Sequence, residues 1–146
     1  MKRLIIIAAV MFGLGANAYA AGQGKDAILG KWLTEKGKSV VQVYHCGDAY
    51  CGKIIWLKEP LDKQGKEKLD TKNPDKSKRN RKILGLVILT GLKYKGPNKW
   101  EGGRIYDPER GKTYKCHAWF DKGKLKLRGY IGFSLIGRTT TWTRKE

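Results

Sequence analysis

The sequence predicts an all-β protein: an antiparallel up-and-down barrel of about eight strands with one long basic loop. Three observations carry this reading. Short apolar/polar alternations recur along the chain, as in Tyr114, Cys116, Ala118 and Phe120 against Lys115, His117 and Trp119. Turn sequences rich in Gly, Pro, Asn and Asp separate them. No stretch has the 3.6-residue apolar period of an amphipathic helix.

The elements follow in order. Residues 1–20 have the form of a signal peptide: Lys2 and Arg3, an apolar run over 4–14, and the small-x-small site Ala18-Tyr19-Ala20. Gly13, Gly15 and Asn17 break the run well short of the roughly 20 apolar residues that a membrane anchor needs. The cleaved chain is therefore expected not to be an integral membrane protein, and to be periplasmic or secreted. Residues 21–27 read as a flexible leader and 28–145 as the barrel domain. Gly30-Lys31-Trp32 opens the first strand, and 35–38 turn the chain. Residues 40–44 alternate Val41 and Val43 with Gln42 and Tyr44. Cys46 and Cys51 flank the turn-like Gly47-Asp48-Ala49-Tyr50, so in an oxidising compartment they can pair across a hairpin end, a bridge contributing roughly 2 kcal/mol. In the strand over 53–58, Ile54, Ile55, Trp56 and Leu57 follow one another, which implies that both faces are covered.

Residues 59–82 exceed an ordinary hairpin loop, whose length is about 4–6 residues. The first half, 62–68, has few apolar residues and reads as mobile; the second half is polar and strongly basic. A strand is expected over 83–92, a turn at Gly96-Pro97-Asn98, and a strand over 100–106 with Gly102-Gly103 marking a bulge or bend. Asp107-Pro108-Glu109-Arg110-Gly111 suits a hairpin turn. Strands over 113–120 and 124–130 are joined by Asp121-Lys122-Gly123, residues 132–137 form a short connection, and a Thr-rich last strand surrounds Trp142 over 138–144. Cys116 is expected inside as a small hydrophobe and His117 outside.

Net charge is +18, or +16 without Lys2 and Arg3. In an exported chain this points to anionic lipid or polymer surfaces rather than nucleic acid, or to a solvated surface that keeps the domain soluble. The candidate ligand-binding group is Asp70, Asn73, Arg79 and Arg81, with Trp56 and Tyr106 as aromatic partners. Arg presents a planar fork that grips carboxylate or phosphate. The competing reading makes Asp70, Asn73 and an Arg an internal network that pins a long loop. His45, His117 and the three cysteines lack zinc-ligand spacing, so no metal and no cofactor are expected. Ser39, Ser77 and Ser134 lack a nucleophile-elbow sequence, so no catalytic residue is assigned.

Gly30-x-Trp32 on the first strand with Arg144 at the end of the last resembles the lipocalin (calycin) arrangement, in which the Trp closes one barrel end and the Arg packs across it. The stretches GKWLTEKGKSVVQVYHCGDAYCGKIIWL, DTKNPDKSKRNRKILG, GGRIYDPERGKTY and LRGYIGFSLIGRTTTWTR resemble the bacterial secreted family called domain of unknown function 2147. Lys78 and Lys82 stand where that pattern has Leu and Pro, adding positive charge. The resemblance implies a signal peptide and a lipocalin-like barrel, and no established activity. The function expected is an exported, non-enzymatic binding protein that takes a small amphipathic or anionic ligand at a barrel mouth guarded by 70–82. The alternatives are a pocketless envelope protein that binds anionic surfaces through its lysines, and an enzyme using Asp70, Asn73 and Asp107.

Overall fold

Alternating side chains give each strand an inward and an outward face, and short turns bring most strands against the next in sequence. In the computed structural model, which describes residues 24–146, this produces eight strands: β1 Gly30–Leu33, β2 Ser39–Cys46, β3 Ala49–Leu57, β4 Val87–Gly96, β5 Lys99–Asp107, β6 Lys112–Asp121, β7 Lys124–Tyr130 and β8 Gly137–Lys145. Each pairs antiparallel with the next, and β1 pairs with β8 to close the barrel. At the two-residue turn between β6 and β7, Lys122 and Gly123 both have positive φ, the conformation that matches the strands' twist. The proposed signal peptide lies outside the described residues.

The inward faces form one core. Val41, Val43, Leu89, Leu92, Trp100, Cys116, Ala118, Leu125, Leu127 and Trp142 are all buried in it. Burial pushes the Cys116 thiol up to about 12, which keeps it protonated and inert. Leu89 and Leu92 cannot both face inward on a regular strand. A bulge lets them: Gly52 and Tyr50 on β3 face Leu89 and Leu92, and Gly91 takes φ +70° between them. Gly52 and Gly103 give these leucines room, since a Cβ on Gly103 would lie 2.7 Å from Leu92.

The sequence placed both faces of residues 54–57 under cover, and the structure corrects this. A register shift between Val40 and Val41 sets Ile54 opposite Val41 but Trp56 opposite Val40. Ile54 is buried and Leu57 packs on the core, whereas Trp56 is 46% exposed on the outer wall. The strand expected from residue 83 begins at Val87; residues before it belong to the long loop.

The two ends of the barrel differ. The lower end carries the β2–β3, β4–β5 and β6–β7 turns and the Cys46–Cys51 disulfide, whose Cα atoms are 5.6 Å apart. The segment read as the end of a flexible leader forms a 3₁₀ turn here, Lys25–Ile28, with Ala27 and Ile28 buried. Trp32 Nε1 donates to the Ile28 carbonyl at 2.9 Å, and Trp100 Nε1 donates to that of Lys25 at 3.0 Å. Arg144 lies 4.1 Å over the Trp32 ring and donates to the carbonyls of Leu29 and Ala27. Tyr50 Oη reaches the Asp26 carboxylate at 2.7 Å. The turn is thus a plug, fastened by two indoles, a guanidinium and a phenol. The upper end carries the β1–β2, β3–β4, β5–β6 and β7–β8 connections.

Candidate binding site

The long β3–β4 connection is ordered by its own polar groups. The stretch expected to be mobile is a small hairpin, with Leu61 bridged to Glu67 and the Asp62 carboxylate accepting from the amides of Gln64 and Lys66. A second bridge, Leu69 to Lys82, closes the neck of the excursion over residues 70–81. Asp70 sits within it, fully buried. Its Oδ1 accepts from Tyr106 Oη at 2.5 Å, and its Oδ2 from Asn73 Nδ2 at 2.8 Å and Arg81 Nη2 at 3.1 Å. Arg79 Nε donates to the Asn73 carbonyl at 2.7 Å. Burial opposes the Asp70 charge, but the bonds from Tyr106, Asn73 and Arg81 outweigh it and hold the carboxyl below its ordinary value. Burial and the Asp70 carboxylate push Tyr106 up to about 12.

Five of the residues singled out in the sequence therefore meet: Asp70, Asn73, Arg79, Arg81 and Tyr106. Trp56 stands apart on the wall. The group faces outward, because Tyr106 alternates with Ile105, whose partner Tyr114 shares the inward face of Cys116. Beneath it the connection buries Ile83 and Leu86. Its far side rests on the β5–β6 turn, where Gly111 touches the Lys72 carbonyl so closely that any Cβ would overlap it. Asp107, the third acid of the enzyme alternative, accepts from the amide of Glu109 within that turn. The arrangement is a strap across the upper wall, with each polar group holding another part of the strap or the wall.

The upper mouth is built from other residues. Register places Leu57, Ile105, Tyr114 and Thr140 on the inward face above the core, where all four are half-buried. Gly129 lies in the same layer, opposite Cys116. A Cβ there would meet Tyr114 and Ile105 at 3.4 and 3.6 Å, so the missing side chain leaves a notch between them. Arg138, opposite Gly129, stands at the rim with one nitrogen 3.9 Å from Glu35. Sequence alternation marked Tyr114 as inward, but which inward residues lie above the core depends on strand stagger, which it does not encode. A separate shallow depression of about 420 Å³ lies on the outer wall beside Glu101, His117 and Trp119. There, partial burial lowers the imidazole of His117 below its ordinary value.

Among the described residues no helix is long and apolar enough to cross a membrane. Comparison with curated proteins returns no match. Among solved structures, protein HP1028 from the human pathogen Helicobacter pylori, described as belonging to the lipocalin family, is similar. The TM-score is 0.70 at 25% sequence identity, over 82% of this chain and 83% of that one. Its likeness and the closed eight-stranded barrel agree on a lipocalin-like fold. Residues 30–144 match the family model described as "Uncharacterized protein conserved in bacteria (DUF2147)", and the chain belongs to that family.

Proposed function

We propose that the protein is an exported, non-enzymatic binding barrel that takes a small amphipathic molecule at its upper mouth. The observation that carries this reading is the half-buried inward layer of Leu57, Ile105, Tyr114 and Thr140 around the notch at Gly129, with Arg138 at the rim. The half-buried apolar layer offers contact to a short apolar group, with the notch taking its end, and the guanidinium suits an anionic head. The core below is filled with Trp, Leu and Val side chains, so the ligand is shallow and small. The lipocalin-like fold supports a binding role, and the disulfide fits an oxidising compartment. Asp70 and Asp107 serve the strap and a turn, which favours binding over catalysis at these carboxylates.

Gly129 has ordinary backbone angles, so Gly129→Val fills the notch without backbone strain. Titration with sodium dodecanoate, followed by calorimetry and by NMR shifts of Tyr114 and Thr140, should give one saturable site in the parent protein. The Gly129→Val variant should bind at least tenfold more weakly with a melting temperature within a few degrees of the parent. Equal binding by the two proteins, or no saturable site in the parent, would remove the mouth as the binding place.

A further inference from the structure

The connection between β7 and β8 presents four large apolar side chains to solvent: Ile131 is 63% exposed, Phe133 76%, Leu135 91% and Ile136 68%. Isolated exposed apolar residues are ordinary on a protein surface, but four in six consecutive positions are a patch. The display is held in place. Arg128 donates through Nε to the Ser134 carbonyl at 2.5 Å and through Nη2 to that of Leu135 at 3.2 Å, and its Nη1 is anchored on Thr139. The Ile136 amide closes the tip on the Phe133 carbonyl at 3.0 Å. A guanidinium thus binds the backbone of the tip from below and leaves its side chains pointing away from the barrel.

The tip sits at an end whose connections carry a net positive charge. At the same end, residues 58–86 hold ten Lys or Arg against five Asp or Glu, and the adjoining connections add Lys36, Lys38 and Arg110 against Glu35 and Glu109. The turns of the lower end hold one basic residue, Lys122, and one acidic residue, Asp48. The barrel's walls do not suit lipid: outward positions include Lys31, Gln42, Lys53, Arg104, Lys115 and Lys126, while the apolar side chains fill the inside. Among the described residues, the large apolar side chains that stand exposed lie on the upper connections or at the strand ends beside them.

We propose that the upper end docks onto an anionic bilayer surface, with Phe133, Leu135 and Ile136 entering the headgroup boundary and the surrounding lysines and arginines meeting lipid phosphates. An apolar anchor combined with a basic ring is the combination that gives stable peripheral attachment, because each part alone is weak. Charge favours this occupant over a second copy of the chain, since apposing two such ends would bring two positive surfaces together. The docking does not depend on a ligand in the mouth, although it would turn the mouth toward the lipid.

The test is flotation with vesicles of phosphatidylcholine containing 30% phosphatidylglycerol, against pure phosphatidylcholine, at about 0.1 M NaCl, where exposed charges still act over roughly 10 Å. The parent protein should float with the anionic vesicles and stay behind with the neutral ones, and 0.5 M NaCl should weaken its binding several-fold. The variant Phe133→Ser/Leu135→Ser alters exposed side chains alone, so its melting temperature should match the parent's while its partitioning falls at least tenfold. As a depth readout, Phe133→Trp should gain blue-shifted emission that brominated lipid quenches. Three results overturn the proposal: no flotation of the parent with anionic vesicles; equal flotation of the serine variant, which would assign binding to the lysines alone; or a concentration-dependent dimer lost in that variant, which would assign the tip to self-association.

Discussion

Trp32→Ala is expected to lower the melting temperature by on the order of 15 °C, the largest loss for a single substitution in this barrel. Trp32 is fully buried, and removing so large a ring from a core costs about 4 kcal/mol in lost burial and residual cavity. The consequences converge at one place. The Ile28 carbonyl loses its donor, Arg144 loses the ring it lies on, and Phe120 loses a neighbour at 5.7 Å. Trp32→Phe separates these effects. It keeps an aromatic face for the guanidinium but not the N–H, and should cost about 1–2 kcal/mol beyond the difference in ring size. Urea denaturation of the three proteins measures this. In Trp32→Ala the Lys25–Ile28 turn should also become open to trypsin at Lys25 before global unfolding. An alanine variant that melts within a few degrees of the parent would mean that the turn is held without Trp32.

Asp70→Ala should cost about 3 kcal/mol, because it leaves Tyr106, Asn73 and Arg81 with donors aimed at an empty, buried position. The same network sets a pH window. The Asp70 carboxyl is held below its unfolded value of 3.8, so its contribution is complete above about pH 4 and is lost as pH falls through the folded value. The Tyr106 hydroxyl is raised from 10.0 to about 12, so its contribution is complete below pH 10 and is lost as pH rises toward 12. Stability of the parent should therefore fall at both extremes, and Asp70→Asn should flatten the acid limb. Gly111→Ala attacks the same strap from the other side, by driving a Cβ into the Lys72 carbonyl at a residue with φ +65°. If both substitutions act by releasing the strap, the double variant should lose clearly less than the sum of the singles. Full additivity in denaturant titrations would show that the two contacts stabilise separate parts of the chain.

Much of this architecture was legible before the structure. The strand alternation, the short turns, the Cys46–Cys51 hairpin and the inward Cys116 follow from period-two patterning and turn chemistry, which are local properties. Trp56 was misread because a bulge changes which face a residue takes, and that slip is set by the partner strand rather than by residues 54–57 themselves. The group around Asp70 was found because clustered charge and amide residues in a long loop are conspicuous. That it grips Tyr106 on the outer wall depends on a contact 36 positions away in sequence, which spacing could not disclose. The mouth residues were missed for a related reason: what sets them apart from the core is height along the barrel, a consequence of strand stagger. The apolar tip did leave a signal. Between Gly132 and Gly137, where a connection should be polar, the chain reads Phe-Ser-Leu-Ile.

The seam between β1 and β8 has a kinetic meaning. It joins residues 31–33 to 143–145, and Arg144 reaches back to a carbonyl 115 positions earlier. Until the last strand is present, β1 has one unpaired edge, Trp32 lacks the cation above it, and the amino-terminal turn has one clasp fewer. Hairpins such as β2–β3 and β6–β7 can form early because their contacts are local. Circular closure must wait for the slowest event, the meeting of the chain's two extremities. A nascent chain is thereby kept open until β8 emerges, so truncation before residue 138 should yield a protease-sensitive ribbon with a raw edge instead of a weakened barrel.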